Sequence, residues 1–264
     1  MSQPTPRSWH PIRAGDRLIL AADFPATGRP EAGFADLARY IRTDHGIWET
    51  RLHEGDAASW SMSTVIKWWA EDIRAAGLAV DLIMGYCASS AYALALAREI
   101  HRDRAYVPVI LFDPTVVTRH VLHEFGFARV VEMFRGVLDA DAFEATLKTA
   151  AIAAERAAGL GALAAELEVI YRATAEAAFA QAGLIPEQVA ELSYFVTAHL
   201  HHLRVAGEMR IGRIRGEVTA IRSMDYPGSM AVGTTIRCPV SHSAILADEW
   251  TGNTVTSLIE GRFR

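Results

Sequence analysis

One stretch limits what this chain can fold into more than any other: Asp81-Leu-Ile-Met-Gly-Tyr-Cys-Ala-Ser-Ser90, an apolar strand running into a small-residue turn and then a helix. Within it, Gly85-Tyr-Cys87-Ala-Ser89 has the form of a nucleophile elbow, G-x-S-x-G. Cysteine stands in the nucleophile's place and serine in that of the second glycine. The elbow needs small residues two positions either side of its central residue, because the sharp turn brings neighbouring backbone very close. Such a turn lifts one side chain out of a parallel sheet, over the N-terminus of the next helix, and a helix N-terminus favours thiolate over thiol. A cysteine merely buried at a strand end fits the same letters.

The surrounding sequence agrees with a sheet of this kind. Arg17-Leu-Ile-Leu-Ala-Ala22 reads as a short buried strand, followed by the loop Phe24-Pro-Ala-Thr-Gly28. Glu31 to Arg42 has helical spacing through Phe34, Leu37, Ala38 and Ile41. Gly46–Leu52 reads as a second strand and Met62–Ala76 as a helix closed by Gly77. The elbow strand, the helix Ala88–His101 and the strand Tyr106–Phe112 follow. Strands alternating with helices of this length predict an α/β fold with a parallel, doubly wound sheet.

The rhythm changes after Pro114. From about 116 to 206 no strand is credible, and the spacing predicts helices over Thr118–Leu138, Ala140–Ala158, Gly161–Ala182 and Pro186–Val205. Strands resume with Gly216–Arg222 and Thr234–Pro239, before a closing helix from about Ser243 to Phe263. The expectation is a single domain over 1–264 carrying a helical lid insertion over 116–206, with a structural or dimerising bundle as the other reading of that insertion.

Composition sets the class of protein. With 264 residues and 51% hydrophobic content the chain can bury one large core without splitting into two domains. A net charge of −5 and the lack of a long basic cluster argue against nucleic acid or an anionic membrane as partner. Two cysteines cannot make a disulfide framework, and neither a signal core nor a membrane-length apolar run is evident. The expectation is a cytoplasmic protein.

Nucleophilic acyl chemistry needs a nucleophile, a base, a group orienting that base and donors for the oxyanion. Cys87 is the candidate nucleophile. Asp113 ends the next apolar strand, on the edge where the active site of a parallel sheet lies, although it could instead cap a following helix. His242, between the final strand and the final helix, is the candidate base, which gives the chain order nucleophile, acid, histidine. Asp225 is a second candidate acid. The amide of Ala88 and one from the loop 24–28, that of Ala26, are the candidate oxyanion donors.

The remaining histidines carry less. His199, His201 and His202 have no matching carboxylate in the sequence, and His10, His45, His53, His101, His120 and His123 read as surface or helix residues without an evident partner. The His199/His202 spacing could support a metal, but no Cys, Asp or Glu set completes it, and no phosphate-binding glycine loop is present. Neither a metal nor a cofactor is expected. Cys238 reads as a packed strand residue.

Taken together, these segments resemble the thioesterase family of α/β-hydrolases that release acyl or peptidyl chains from carrier proteins in polyketide and nonribosomal peptide assembly. Phe24–Gly28 is similar to that family's oxyanion loop, Phe34–Ala38 to the helix after it, and Leu82–Ser90 to its elbow. Ile110–Asp113 is similar to its acid-bearing strand and Ser241–Leu246 to its histidine segment. Three features depart from the family: cysteine at 87 in place of serine, Ser89-Ser90 in place of a glycine pair, and an oxyanion loop without a second proline or histidine.

The resemblance implies a thioesterase-like acyltransferase or hydrolase of natural-product biosynthesis with a Cys87–His242–Asp113 triad. In chain-terminating members the acid is often at the position of Asp113, which favours it over Asp225. Such an enzyme would take its chain from an acyl- or peptidyl-carrier protein, or from a small thioester, and release it by hydrolysis, cyclisation or transfer. A cysteine-dependent ester or lactone hydrolase and a non-catalytic hydrolase-like scaffold are the alternatives.

Overall fold

The computed structural model describes residues 6–24, 31–52, 55–101, 106–183, 185–210, 216–226 and 230–263. Its strands are β1 (Trp9–Arg13), β2 (Arg17–Ala22), β3 (Gly46–Thr50), β4 (Ala79–Tyr86), β5 (Val109–Phe112), β6 (Val218–Arg222) and β7 (Thr234–Arg237). They form one sheet in the order β1-β3-β2-β4-β5-β6-β7. Every pair is parallel except β1 with β3. The N-terminal segment, which sequence reading left without structure, is therefore an antiparallel edge strand. Pro11 lies in it next to a register shift, at an edge where a missing donor is tolerated.

Alternation along the strands sorts the core into two faces. Ile19, Ala21, Ile47, Leu82, Met84, Tyr86, Ile110, Phe112 and Ile221 share one cluster with Phe34, Leu37, Ile41, Val255 and Ile259. On that face lie the single helical turn α1 (Phe34–Leu37) and the closing helix over Glu249–Phe263. The helix expected over 31–42 is thus reduced to one turn, capped by the Asp36 carboxylate accepting from the Gly33 amide at 3.1 Å. Its apolar spacing still holds, since Phe34, Leu37, Ala38 and Ile41 are all buried. Phe34 meets Phe112 edge-on, with ring centroids 5.7 Å apart. Burying a side chain of this size contributes about 1.5–3 kcal/mol.

The opposite face carries α2 (Met62–Ala76) and α3 (Ser90–His101). Ser61 caps α2 by accepting from the Thr64 amide at 3.1 Å, and Gly77, at φ 66°, ends it in the left-handed conformation. Trp69 of α2 lies between Trp9 and Tyr92, its ring tilted against each, with centroid distances of 6.0 and 5.6 Å. At the far end of the strands Asp81 is paired with Arg17 and accepts from His45 at 2.8 Å, so His45 has partners that sequence reading did not foresee.

Residue contacts divide the chain into two units, 1–53 with 61–116 and 209–264, and 54–60 with 117–208. The second is helical. It comprises α4 (Arg119–His123), a π turn (Glu124–Ala128), α5 (Arg129–Val131), a 3-10 turn (Glu132–Phe134), α6 (Ala140–Arg156), α7 (Leu160–Ala182) and α8 (Pro186–Glu208). The helix expected over 118–138 runs from Arg119 to Phe134 as successive α, π and 3-10 turns rather than as one regular helix. Gly126 lies so close to α8 that an added Cβ would stand 2.7 Å from Leu203 Cδ1, and Gly136 turns the chain at φ 84°. Inside this unit Phe134 contacts Tyr171 and Phe179, at 6.0 and 5.3 Å between centroids.

His201 is a further correction. It is buried and has a carboxylate partner, Glu168 on α7, 2.9 Å from Nε2. Arg204 Nε donates to His201 Nδ1 at 3.2 Å, so the ring proton sits on Nε2 and points at Glu168. The chain closes with a 3-10 turn (His242–Ala244) and α9 (Glu249–Phe263), in place of one helix from 243.

Candidate active site

Register brings the candidate residues together. Tyr86, the last residue of β4, pairs with Phe112, the last of β5, so Cys87 and Asp113 leave the same edge of the sheet on neighbouring strands. Both adopt positive φ, 48° at Cys87 and 44° at Asp113. That conformation costs a non-glycine residue of order 1–3 kcal/mol and persists only where the surroundings impose it. At Cys87 the constraint is visible two residues upstream. An added Cβ at Gly85 would stand 2.7 Å from Ala93 Cβ and 3.1 Å from Ser90 Cα, so α3 packs directly on that glycine. Serine at 89 is accommodated, since both Ser89 and Ser90 are buried.

Cys87 is partly exposed and not in a disulfide, whereas Cys238 is buried after β7 and 3.1 Å from the Thr251 hydroxyl. The Cys87 thiol donates to Thr115 Oγ1 at 3.6 Å. Thr115 in turn donates that hydroxyl to the Asp113 carbonyl at 3.1 Å and its amide to the Cys87 carbonyl at 3.2 Å. One threonine thereby ties the two left-handed residues together. Ala88 follows Cys87 in the opening turn Cys87–Ser89, where a helix's first amides have no intrahelical acceptor.

Asp113 is fully buried, and its carboxylate is saturated with donors. Ser223 gives its amide to Oδ1 at 2.8 Å and its hydroxyl to Oδ2 at 2.6 Å. Oδ2 also accepts from His242 Nδ1 at 2.7 Å. Asp225 is placed differently: its Oδ1 accepts from the His242 backbone amide at 2.6 Å. That bond is the main reason the Asp225 carboxyl lies below its ordinary range. Asp113 therefore contacts the imidazole, and Asp225 the backbone amide of the same residue.

Two contacts complete the surroundings of His242. Tyr86 Oη lies 3.1 Å from Nε2 and 3.3 Å from the His242 carbonyl oxygen, with the two rings nearly parallel at 16°. Burial opposes a charge on this imidazole, but hydrogen bonding to Asp113 and to Cys87 outweighs it and pushes the pKa up to about 10. A histidine so held carries its proton at neutral pH. The arrangement can give that proton to a leaving group and recover another from an attacking one.

Sequence reading missed three members of this network. Tyr86 lay inside the elbow pentapeptide, next to the residue singled out. Thr115 and Ser223 gave no signal of their own, because strand register alone brings them to Cys87 and Asp113. Ala26, the second expected oxyanion donor, lies outside the described residues. Among the described residues no group of three His, Cys, Asp or Glu side chains could hold a metal. On the same edge of the sheet a cavity of about 460 Å³ opens at the ends of β2 and β3, between Asp23, Phe24 and Thr50.

No family model matches the chain, and no curated protein matches it. Solved structures do. A holo four-domain nonribosomal peptide synthetase, bound to AMP and glycine, aligns over 97% of this chain and 20% of its own, at 12% identity and TM-score 0.61. The present chain thus spans about a fifth of that protein's length. The Vlm2 thioesterase domain, carrying genetically encoded 2,3-diaminopropionic acid and a bound dodecadepsipeptide, aligns over 97% of this chain and 98% of its own. Identity there is 15% and TM-score 0.54. A second crystal form of the same complex gives 16% identity and TM-score 0.53. The likeness establishes the fold: this is an α/β-hydrolase fold, a mostly parallel sheet flanked by helices. No described helix is long and apolar enough to cross a membrane.

Proposed function

We propose that the chain is a thioesterase-like acyltransferase or hydrolase of natural-product biosynthesis, with Cys87 as nucleophile, His242 as acid and base, and Asp113 as the group that orients the histidine. One observation carries the reading. A left-handed cysteine and a left-handed aspartate leave adjacent strand ends, and that aspartate accepts from a late histidine at 2.7 Å. The fold shared with a thioesterase domain supports the acyl-carrying role.

The reaction balances as two acyl transfers. The Cys87 thiolate adds to the carbonyl of a thioester borne by a carrier protein or a small thiol, with the Ala88 amide facing the developing oxyanion. On collapse the carbon–sulfur bond to the carrier breaks, and His242 gives its Nε2 proton to the departing thiolate. The product is an S-acyl cysteine, a neutral His242 and a free thiol. Water, a hydroxyl or amine of the bound chain, or a separate nucleophile then adds to the S-acyl carbonyl. His242 takes its proton, and Cys87 leaves as thiolate beside the restored imidazolium. Asp113 stabilises the charged ring in both half-reactions without itself being protonated.

Intact-protein mass spectrometry after mixing with acyl-N-acetylcysteamine thioesters and carrier-bound thioesters tests this. The wild type should gain the acyl mass, Cys87→Ala should not, and decay of the adduct in water or amine should separate hydrolysis from transfer. No adduct and no turnover with either kind of thioester would overturn the proposal.

A further inference from the structure

We propose that Tyr86 is the positioning residue of His242, its hydroxyl holding the ring at the nitrogen that must exchange protons with Cys87. This inference rests on the triad reading above, but its decisive measurement does not require turnover.

Tyr86 Oη touches Nε2 at 3.1 Å and the His242 carbonyl oxygen at 3.3 Å, yet a phenol has one proton to donate. A carbonyl cannot donate. Both contacts are satisfied when the hydroxyl donates to the carbonyl and Oη accepts from Nε2–H, a proton that Oη then shares with the Cys87 sulfur. Nδ1, 2.7 Å from the Asp113 carboxylate, must also carry a proton. The network as it stands is therefore that of the imidazolium. When His242 has given up its Nε2 proton, the same hydroxyl can rotate to donate to the bare nitrogen, so the ring stays held in either state.

Packing explains why this hydroxyl can act as a fixed point. Tyr86 closes β4, and its 3%-exposed side chain sits in the cluster with Met84, Phe112, Cys238, Ile245 and Leu246. The turn that bears His242 packs through Ile245 and Leu246 into that same cluster. The ionisable groups facing the imidazole are Asp113 at Nδ1, Cys87 across the turn and Asp225 at the backbone amide. None of these sits where Tyr86 does, against both Nε2 and the carbonyl. Tyr86 thus adds a contact that no member of the triad provides.

The test is Tyr86→Phe, which keeps the ring and its packing. The imidazolium loses an acceptor, so the His242 titration midpoint in the resting protein should fall by about one pH unit, as read by nitrogen-15 histidine NMR with His242→Gln for assignment. With thioester substrate, kcat should fall about tenfold with KM within about twofold, and the alkaline limb should move down with the NMR midpoint. A midpoint and a pH profile superimposable on the wild type would overturn the inference. If neither protein turns over thioesters but the midpoint still falls, the positioning role stands and the thioesterase reading fails. If Tyr86→Phe does not fold, 3-fluorotyrosine placed at 86 preserves shape while weakening Oη as an acceptor. The midpoint should again fall, and an unmoved midpoint would again overturn the inference.

Discussion

Cys87 and Asp113 stand one residue past the paired positions Tyr86 and Phe112 on neighbouring strands, and both take the left-handed backbone, at φ 48° and 44°. Among the described residues they are the only non-glycine positions to do so. Each is pinned from outside its own strand, Cys87 through its carbonyl by the Thr115 amide and Asp113 through its amide by the Ile221 carbonyl, at 3.2 and 3.0 Å. Strain is thus concentrated at the two positions where a side chain must turn out of the sheet at the ends of β4 and β5, and the neighbouring backbone supplies the restraint.

Gly85 is the position where that restraint is most exposed to challenge. A methyl group there would sit 2.7 Å from Ala93 Cβ, closer than real Cβ contacts allow, and a tight 3.1 Å from the Ser90 backbone. Gly85→Ala should therefore push α3 away from β4 and cost about 1–3 kcal/mol, measured by urea unfolding. Thioester turnover should fall with it, because the same shift moves Cys87 and Ala88. Unchanged stability would mean that the elbow tolerates more bulk than its contacts indicate.

The two acidic residues near His242 should separate cleanly by mutation. Asp113→Asn removes the charge 2.7 Å from Nδ1, the ring nitrogen, and should lower kcat/KM on an acyl thioester by about 10²–10⁴-fold. Asp225→Asn retains an oxygen that can accept from the His242 amide and leaves the ring contact intact, so the loss should stay below about tenfold. The reverse order would assign the orienting role to Asp225 instead.

Much of the fold was legible because the parallel strands are written as short apolar runs, Leu18-Ile-Leu20 and Val109–Phe112 among them. β1 was not, since an edge strand with Pro11 and exposed polar residues carries no such run. The spacing of Phe34, Leu37, Ala38 and Ile41 reported burial correctly but not hydrogen bonding, and only one turn of that segment is helical. The π turn Glu124–Ala128 sets Gly126 against Leu203, 77 residues downstream, and no local pattern encodes that contact. Chemistry follows the same divide. Cys87, Asp113 and His242 each end or follow a strand and could be picked out singly. Tyr86, Thr115 and Ser223 act through register and packing, which a linear sequence does not display.

pH provides a check on His242 that needs no substrate. Its folded pKa, near 10, stands above the unfolded value of 6.5, so the folded state holds the proton more tightly. The resulting stabilisation is complete below about pH 6.5 and is lost as pH rises through about 10. Wild type minus His242→Gln, compared by urea unfolding between pH 7 and 10.5, should therefore show a difference that falls as pH rises towards about 10, most steeply above the ordinary cysteine range, because below it the proton His242 gains is the one Cys87 gives up. A difference that is flat across this range would mean that His242 is neutral in the folded protein, and the imidazolium network around it would have to be abandoned.

The helical unit offers a prediction independent of catalysis. The Arg204 side chain, only 12% exposed, donates to His201 Nδ1 at 3.2 Å, to Glu208 at 2.9 Å and to the Trp60 carbonyl at 2.6 Å. It thereby ties the turn Ala57–Ser59 and its neighbour Trp60 to α8. Removing it leaves Glu208 without this partner, a carbonyl without its donor and His201 free to change tautomer. Arg204→Ala should cost about 2–3 kcal/mol by urea unfolding, and Arg204→Lys should recover only part of this, since a single ammonium cannot reproduce the planar fork. Hydrogen exchange should localise the loosening to residues 57–60 and the C-terminal half of α8. Full rescue by lysine would show that charge alone, not the geometry of the guanidinium, holds this turn in place.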